Sequence, residues 1–435
     1  MRDYLIIGVV LASLPIGFFR PFYGLLVYAW ISYMYPHMLA WSFAQTFPVA
    51  KLSALAVMGG FLLSPKGNLA AMAQKQNVAM LLLWCTFTIS SVFAIYPEDA
   101  WNRWQDASKL ILMSVLASLL LRNRRQIRQF VLVIALSIGF WGWKGGVFGI
   151  VTGGQHVVYG PEPGIMGGNN AIGLALDMCI PLLWYLSSQE HGWLKRLLQA
   201  VFLFTIPAVM FTYSRGSMLT LAILLLLMML KSKRRIVMIF AALIGIILAL
   251  PFIPQKWLER QQTVFSYGED NSAMSRLDNW KFCWRVAQAY PLTGAGFAFS
   301  SPEMFQKYAP EFIVKYNGKT WNTHNIFFSM LASHGFPGLI AFVLMILFCM
   351  VSCVQLKWSV RHVPDLTWVK TYSEMIQLSL LAFVINGMFV NMEYFDLPYH
   401  WVSVTACLKV IVSRELARTN DSESYISTPF HAAAI

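Results

Sequence analysis

The sequence predicts an all-α polytopic membrane protein, and its composition and the grouping of its charges lead to that prediction. Of its 435 residues, 57% are hydrophobic and only 12% are charged. A water-soluble fold of that composition would lack the polar surface to cover itself. The net charge is +13, but the basic residues come in short clusters between apolar runs. That pattern is typical of cytoplasmic loops rather than of a nucleic-acid-binding face, and no nucleic-acid partner is expected.

About twelve transmembrane helices are predicted from the apolar runs. A spanning helix needs roughly 20 predominantly apolar residues. Runs approaching that length lie near residues 4–19, 21–36, 47–64, 78–95, 105–121, 129–152, 169–187, 197–213, 216–230, 236–253, 325–356, 372–392 and 398–413. The first run lacks a small-residue cleavage site and is followed by many others, so we expect it to be retained.

Four basic clusters orient the predicted spans. They lie at residues 122–128, 195–196, 231–235 and 357–370. All four can be cytoplasmic if each pair of apolar runs between them forms one hairpin. The segments then placed outside are the Gly-rich loop 153–168, the tight turn 214–216 and the stretch 254–323.

The predicted organisation has four parts. Residues 1–253 form the first part of the bundle, 254–323 a large helical periplasmic insertion, 324–413 the last part of the bundle, and 414–435 a polar, disordered cytoplasmic tail. In the insertion, the spacing of Arg276, Trp280 and Trp284 predicts a helix from about Ser272 to Ala289. An amphipathic helix lying on the membrane surface is the purely structural interpretation of this segment.

His324 is the first candidate catalytic residue. It stands immediately before a long apolar run, at the outer mouth of a predicted spanning helix. The amino terminus of a helix attracts anions and favours a neutral imidazole, which can act as a general base near neutral pH. The alternative is an interfacial histidine bonded to a backbone carbonyl. His334, deeper in the same run, is expected to pack or hydrogen-bond within the bundle.

Arginines supply candidate anion ligands at the same membrane face. Arg215 occupies a turn where Ser214 can cap the following helix, an arrangement suited to phosphate oxygens. Snorkelling to the interface is the alternative for Arg215. Arg276, with Arg285 and Arg260 behind it, could complete a diphosphate clamp, although a single arginine on an amphipathic helix is usually just solvated.

Several absences bound the chemistry. The sequence has no Asp-x-Asp motif in an outer loop, no P-loop and no cysteine pair or ligand-spaced histidines. No metal ion and no cofactor is therefore predicted, and catalysis would depend on His and Arg. Within the predicted spans, Lys144 and Asp177 are expected to form an ion pair, because each alone is costly in a membrane.

Short motifs form an ordered set over roughly residues 150–345. They are Gly168–Asn170, Pro181, Tyr213–Gly216, Ser275–Arg276 with Trp280, Pro291–Leu292 with Gly294 and Gly296, and His324–Asn325 with Gly335 and Gly338. In order and spacing they resemble the O-antigen ligase and O-antigen polymerase superfamily. The start of the chain, with Met1–Asp3, Arg20–Phe22 and Pro36–His37, is similar to a subgroup of exosortase-associated O-glycosylation ligases.

The resemblance implies an undecaprenyl-diphosphate-linked glycan donor and a metal-independent, inverting transfer at the periplasmic face of the inner membrane. Carried over by position, His324 would be the base, and Arg215 and Arg276 would bind the diphosphate. Further positions implied in the same way are Asn170, Asn325 and an acidic residue near the last outer turn, Asp396 or Glu393.

Three functional hypotheses follow. The first is a lipopolysaccharide O-antigen ligase whose acceptor is a sugar hydroxyl of lipid A-core. The second keeps the chemistry but changes the acceptor to another repeat unit, as in a polymerase, to a protein or to an exopolysaccharide. The third is a lipid or polysaccharide transporter. It is disfavoured because no internal repeat is evident and the polar candidates lie at helix mouths.

Overall fold

The computed structural model of this chain is an all-helical bundle. It describes residues 1–63, 65, 67–232, 235–236 and 271–426, with only the backbone for 271–273 and 419–426. In those ranges the chain forms α-helices, short 3-10 helices and turns, and no β-strand. Arg260 and the predicted span over 237–253 lie outside the described residues.

The described helices follow the apolar runs. In chain order they are α1 (Arg2–Phe19), α2 (Pro21–Met34), α3 (Val49–Leu63), α4 (Leu69–Met72), α5 (Lys75–Val92), α6 (Pro97–Leu120), α7 (Arg124–Val151), α8 (Asn169–Gln189), α9 (Gly192–Met210), α10 (Arg215–Lys231), α11 (Asn271–Ala289), α12 (Pro302–Tyr308), α13 (Pro310–Lys315), α14 (Ile326–Ser359), α15 (Thr367–Gly387) and α16 (Asp396–Ile426). Each predicted apolar run within the described residues is helical, so the helical fold class is confirmed.

Five of the described helices, namely α1, α7, α8, α9 and α14, are long and apolar enough to cross a membrane. Helix α3 is apolar but shorter. The protein is therefore a multi-pass helical membrane protein. The figure of about twelve crossings and the side on which each loop lies stay predictions.

Helix α8 lies at the centre of the bundle, packed against α7, α9 and α15. Its Asp177 is fully buried and accepts a hydrogen bond from Asn386 Nδ2 of α15 at 2.8 Å. Lys144 of α7 is instead exposed, with its Nζ 4.8 Å from the centre of the Trp141 ring. The predicted Lys144–Asp177 ion pair is wrong. With its ammonium over an indole face on the outside of the bundle, Lys144 avoids the cost of burying a charge among the helices.

The segment that follows residue 270 docks onto a break in α14. Helix α11 matches the predicted helix over 272–289. Gly335 has φ +67 and interrupts α14, so the preceding carbonyls are available to other partners. Ala295 N donates to Ala332 O at 2.9 Å and Gly296 N donates to Ser333 O at 3.0 Å. Residues 291–296, which carry the Pro291, Gly294 and Gly296 motif, are thus hydrogen-bonded to the backbone of α14 where Gly335 interrupts it.

The last helix is longer than predicted. Helix α16 continues past Arg414 to Ile426, into residues expected to be a disordered tail. No proline or glycine interrupts this stretch, and Arg418 pairs with Glu415 one turn earlier, a spacing that supports a helix.

Candidate active site

Helix α11 holds the chain that enters α14. Asn279 Nδ2 donates to Trp321 O at 3.0 Å, and Trp280 Nε1 donates to Thr323 O at 3.1 Å. The Trp280 ring also stacks on Phe328, in the first turn of α14, with ring centres 5.4 Å apart. Because these contacts come from neighbouring positions on one helix, they fix the path of the chain immediately before the candidate base.

The two candidate arginines of α11 point to opposite sides. Arg276 is half-buried and lies one turn before Asn279, on the face that holds the entry to α14. Arg285 is nine residues further on, which is half a turn around the helix and about 13.5 Å along it. Its guanidinium pairs with the carboxylate of Glu311 on α13. The structure therefore brings Arg276, and not Arg285, towards His324.

His324 has an unusual backbone conformation and an unsatisfied ring nitrogen. Its φ is +49, a region that non-glycine residues adopt rarely and that is often found at functional sites. Its N–H donates to Asn391 Oδ1 at 2.6 Å. The side chain is half-buried, and its Nδ1 is buried without a hydrogen-bond partner. Nearly all buried polar atoms in proteins are paired, so this nitrogen keeps hydrogen-bonding capacity that the described residues do not use.

Burial and the charge of Arg276 lower the pKa of His324 to about 4. The imidazole is therefore neutral near pH 7, the form that can accept a proton. An anion bound beside Arg276 would offset its charge and raise the pKa of His324 back towards its ordinary value. The ring would then become a stronger base when an anionic substrate is present.

The loop 388–395, between α15 and α16, contributes Glu393, one of the two acidic candidates, and Asn391, which the sequence did not indicate. Asn391, which holds His324, lies two residues before Glu393 and favours the ionised form of its carboxyl group. Glu393 is buried and its Oε1 accepts a hydrogen bond from Ser329 Oγ of α14. Burial raises the pKa of Glu393 to about 7. The Glu393 carboxyl group, whose pKa is near neutrality, thus lies two residues from Asn391, the residue that holds the backbone of His324.

The turn before α10 lies against the same loop. Ser214 caps α10 as predicted, with its Oγ accepting a backbone N–H of the first turn at 3.3 Å. Arg215 is the first residue of α10 and is half-buried. Its neighbour Gly216 is so close to the loop that a Cβ there would lie 2.9 Å from Phe389 Cβ. The loop 388–395 therefore contacts the Arg215 turn through Phe389 and His324 through Asn391, two residues further along the loop.

The two predicted asparagines have different surroundings. Asn325 is buried and caps α14, because its Oδ1 accepts from the backbone N–H groups two and three residues on, at 2.9 and 3.2 Å. Its Nδ2 donates to Met388 O at 3.4 Å. At the start of α8, Asn169 rather than Asn170 reaches the Arg215 turn, with its Nδ2 3.0 Å from Thr212 O. The Asn325 side chain thus holds the first turn of α14, and the Asn169 side chain holds the turn before α10.

Asp396 lies on a separate cavity next to this loop. It is the first residue of α16, is buried, and accepts a hydrogen bond from Tyr28 OH at 3.5 Å. The cavity has a volume of about 440 Å³ and is also lined by Tyr394. Of the two acidic candidates, Glu393 contacts Ser329 in the first turn of α14, whereas Asp396 lines the neighbouring cavity.

Within the described ranges, no group of three or more His, Cys, Asp or Glu side chains could hold a metal ion. The metal independence of the reaction stays a prediction, since that finding concerns only part of the chain.

Comparison with known proteins divides the chain in two. Residues 200–343 match a family model described as O-antigen ligase. Residues 1–191 match a model described as a family of unknown function (DUF5935). No curated protein matches the chain. The range 200–343 contains Arg215, Arg276 and His324, whereas Asn391 and Glu393 lie beyond it.

Proposed function

We propose, on the premise that residues 200–343 belong to the O-antigen ligase family, that this protein transfers a glycan from a lipid diphosphate to an acceptor hydroxyl. The family match supports membrane glycosyl transfer of the ligase or polymerase type. The observation that carries the finer proposal is the His324 ring. It stands at the mouth of α14 beside Arg276, with one buried nitrogen lacking a partner.

The proposed reaction is a single inverting displacement. The neutral imidazole of His324 takes the proton from an acceptor sugar hydroxyl, and the hydroxyl oxygen attacks the anomeric carbon of the donor. The bond from that carbon to the diphosphate oxygen breaks, and the lipid diphosphate leaves with the electron pair. Because the diphosphate is a good leaving group, no general acid is required. Arg215 and Arg276 bind its oxygens.

The sizes of these contributions are set by general principles. A positioned general base supplies about 10²- to 10⁴-fold in rate, and charged donors aimed at developing negative charge supply several kcal/mol. The bound diphosphate also offsets the charge of Arg276, which is one of the two causes of the low pKa of His324. Donor binding would thus strengthen the base at the moment the acceptor arrives.

The donor we propose is an undecaprenyl-diphosphate-linked glycan, and the acceptor is lipid A-core, at the periplasmic face of the inner membrane. A second acceptor class, a protein, an exopolysaccharide or another repeat unit, remains in the proposal because of one observation. Residues 1–191 match a separate family of unknown function, so the ligase match leaves the acceptor-side role of these residues open to either class. The exosortase-associated subgroup stays a prediction.

The proposal is tested by transfer in proteoliposomes containing the purified protein and undecaprenyl-diphosphate-linked glycan. Lipid A-core, a protein acceptor and donor alone form three separate arms, with the product measured by mass spectrometry. We expect His324→Ala to lower kcat by about 10²- to 10⁴-fold. The matched control is His156→Ala, which changes an exposed histidine in the loop before α8 and should leave kcat unchanged.

Three outcomes would contradict parts of the proposal. Full activity of His324→Ala removes the base assignment. Loss of activity on adding EDTA removes the metal-independent mechanism. Movement of the glycan across the bilayer with no product in any arm favours the transporter.

A further inference from the structure

The 440 Å³ cavity beside the loop 388–395 has no role in the reaction described so far. Its volume is within the range of small-molecule sites, about 300–1,000 Å³. It lies between α2, the first turns of α6, the loop before α8 and the start of α16. Its walls carry side chains that donate and accept hydrogen bonds: Tyr28, His37, Arg103, Asp106, Lys109 and Asp396.

Two buried groups on the cavity wall are built for a polar ligand. His37 is 8% exposed, and its Nδ1 is buried without a hydrogen-bond partner. Asp396 is also 8% exposed, and its carboxylate accepts from Tyr28 OH at 3.5 Å. Buried polar atoms are normally paired, so the unpaired His37 nitrogen adds unused hydrogen-bonding capacity to this wall.

The mixture of charges on the wall selects the kind of ligand. Arg103 and Lys109 bring positive charge, but Asp106 and Asp396 bring an equal number of carboxylates. Such a wall disfavours a multiply charged anion such as a diphosphate. Sugar hydroxyls both donate and accept, so carboxylates and cationic side chains can each bind them, and tyrosine rings can cover the apolar face of a sugar ring.

The cavity adjoins the C-terminal end of the loop 388–395, whereas the Arg215 turn contacts its N-terminal end. Along the loop, Phe389 contacts that turn and Asn391 holds His324. Tyr394 comes next, lining the cavity while its hydroxyl lies 2.7 Å from His334 Nε2. Arg103, on the cavity wall, is also close enough to Glu393 to favour its ionised form. The cavity and the Arg215 turn therefore contact different ends of the loop 388–395.

The residues that line the cavity and the arginines proposed to bind the donor come from different parts of the chain. Among the described residues that line the cavity, Phe297 alone lies in the range 200–343, and most of the others lie in 1–191. Arg215 and Arg276, which bind the donor in the proposed function, lie in 200–343. Residues 1–191, which match a different family model, thus form most of a sugar-sized polar site next to the loop 388–395.

We propose that this cavity is a carbohydrate-binding subsite that holds the acceptor glycan with its reacting hydroxyl towards His324. The inference rests on the proposed function, because it assigns the second substrate of that reaction. Hydrogen bonds from the cavity wall would fix the acceptor sugar, and the positions of these groups would set which glycan is accepted.

Steady-state kinetics with lipid A-core as the varied acceptor tests the subsite. We expect His37→Asn and Asp106→Asn each to raise the KM for the acceptor about 10-fold, since a lost hydrogen bond to a charged or buried group costs that much in affinity. The donor KM and kcat should stay within about two-fold of wild type. The control is Asp99→Asn, an exposed aspartate on the same helix as Asp106 but outside the cavity, which should leave all three constants unchanged.

A binding measurement without donor completes the test. The probe is the delipidated core oligosaccharide, titrated calorimetrically into the purified protein, with inorganic pyrophosphate as competitor. We expect the oligosaccharide to bind wild type and to bind His37→Asn at least several-fold more weakly, with no competition from pyrophosphate.

The outcomes separate this inference from the proposed function. If wild type transfers glycan but the cavity variants and Asp99→Asn have equal acceptor KM values, the subsite is wrong and the proposed function stands. Competition by pyrophosphate for the oligosaccharide site also overturns the subsite. If wild type transfers nothing to any acceptor yet binds the oligosaccharide through His37, the proposed function is wrong and the sugar site stands.

Discussion

Two histidines only ten residues apart on the α14 segment have opposite environments. His334 is fully buried, with Ser90 Oγ 2.6 Å from its Nδ1 and Tyr394 OH 2.7 Å from its Nε2. His324 is half-buried, adopts a left-handed backbone conformation and has an Nδ1 without a partner. The ring with both nitrogens paired joins α5, α14 and the loop 388–395. The ring with an unpaired nitrogen stands at the mouth of α14, beside Arg276.

The difference shows how a structural role can be distinguished from a catalytic role when two residues are of the same type. A buried polar side chain whose hydrogen bonds are complete stabilises the fold and has nothing left for a ligand. A side chain held by its backbone, with its own atoms unsatisfied, is prepared for a partner that is not part of the chain. The predictions below test that contrast.

The largest expected effect comes from making the same change at both histidines. We expect His324→Gln to lower kcat by about 10²- to 10⁴-fold with little change in the midpoint of thermal unfolding. His334→Gln should lower the free energy of unfolding by about 1–3 kcal/mol, because Ser90 and Tyr394 lose a well-placed partner. Its activity per folded molecule should remain close to wild type. Equal losses of activity in both variants would erase the contrast.

The second prediction concerns the hydrogen-bonded contact between residues 291–296 and α14. A Cβ at Gly294, where φ is +66, would lie 2.3 Å from the Ser333 carbonyl. Gly294→Ala should therefore cost about 1–3 kcal/mol of overpacking beyond the strain of its backbone conformation. Gly318→Ala isolates that strain, since Gly318 has φ +77 and open space around it. Thermal unfolding in detergent compares the two, and equal midpoints would show that the close approach does not matter.

Asn391 provides a smaller, positional effect. It holds the backbone of His324 at 2.6 Å without contacting the reacting atoms, so it is a positioning residue. We expect Asn391→Ala to lower kcat about 10-fold with donor and acceptor KM nearly unchanged, because a misplaced base is a poorer catalyst. Asn391→Asp keeps an acceptor for the His324 N–H and should recover part of the rate. No recovery would argue that the whole Asn391 amide, and not the hydrogen-bond acceptor, is what matters.

The smallest effect is on the pH profile. Neutral His324 is the active form, so kcat/KM should fall as the pH drops through the pKa of about 4 in the free enzyme. Arg276→Gln removes one of the two causes of that low pKa, while burial remains. The acidic limb should then move to higher pH, towards but not beyond the ordinary value near 6.5. A limb that stays in place, measured at subsaturating donor, would show that Arg276 does not act on this ring.

Local pattern selected part of the candidate site. His324 and Arg215 each stand at the start of an apolar run. The helical spacing around Arg276 predicts α11, whereas its role as a diphosphate ligand comes from its predicted membrane face and from the resemblance. Asn391 and Glu393 carry no such pattern. Their importance comes from hydrogen bonds to His324 and Ser329 across more than sixty residues of chain, and no periodicity records which distant residue a side chain will meet.

The sequence by itself determined the helical class, the membrane character and the order of the ligase-type motifs, because hydropathy, charge clusters and turn residues act over short stretches of chain. Tertiary structure alone decided which polar groups are satisfied. It paired Asp177 with Asn386, paired both nitrogens of His334, left Nδ1 of His324 without a partner and enclosed a polar cavity on the N-terminal half. Burial and hydrogen-bond partners depend on how helices pack, and packing depends on the whole chain at once.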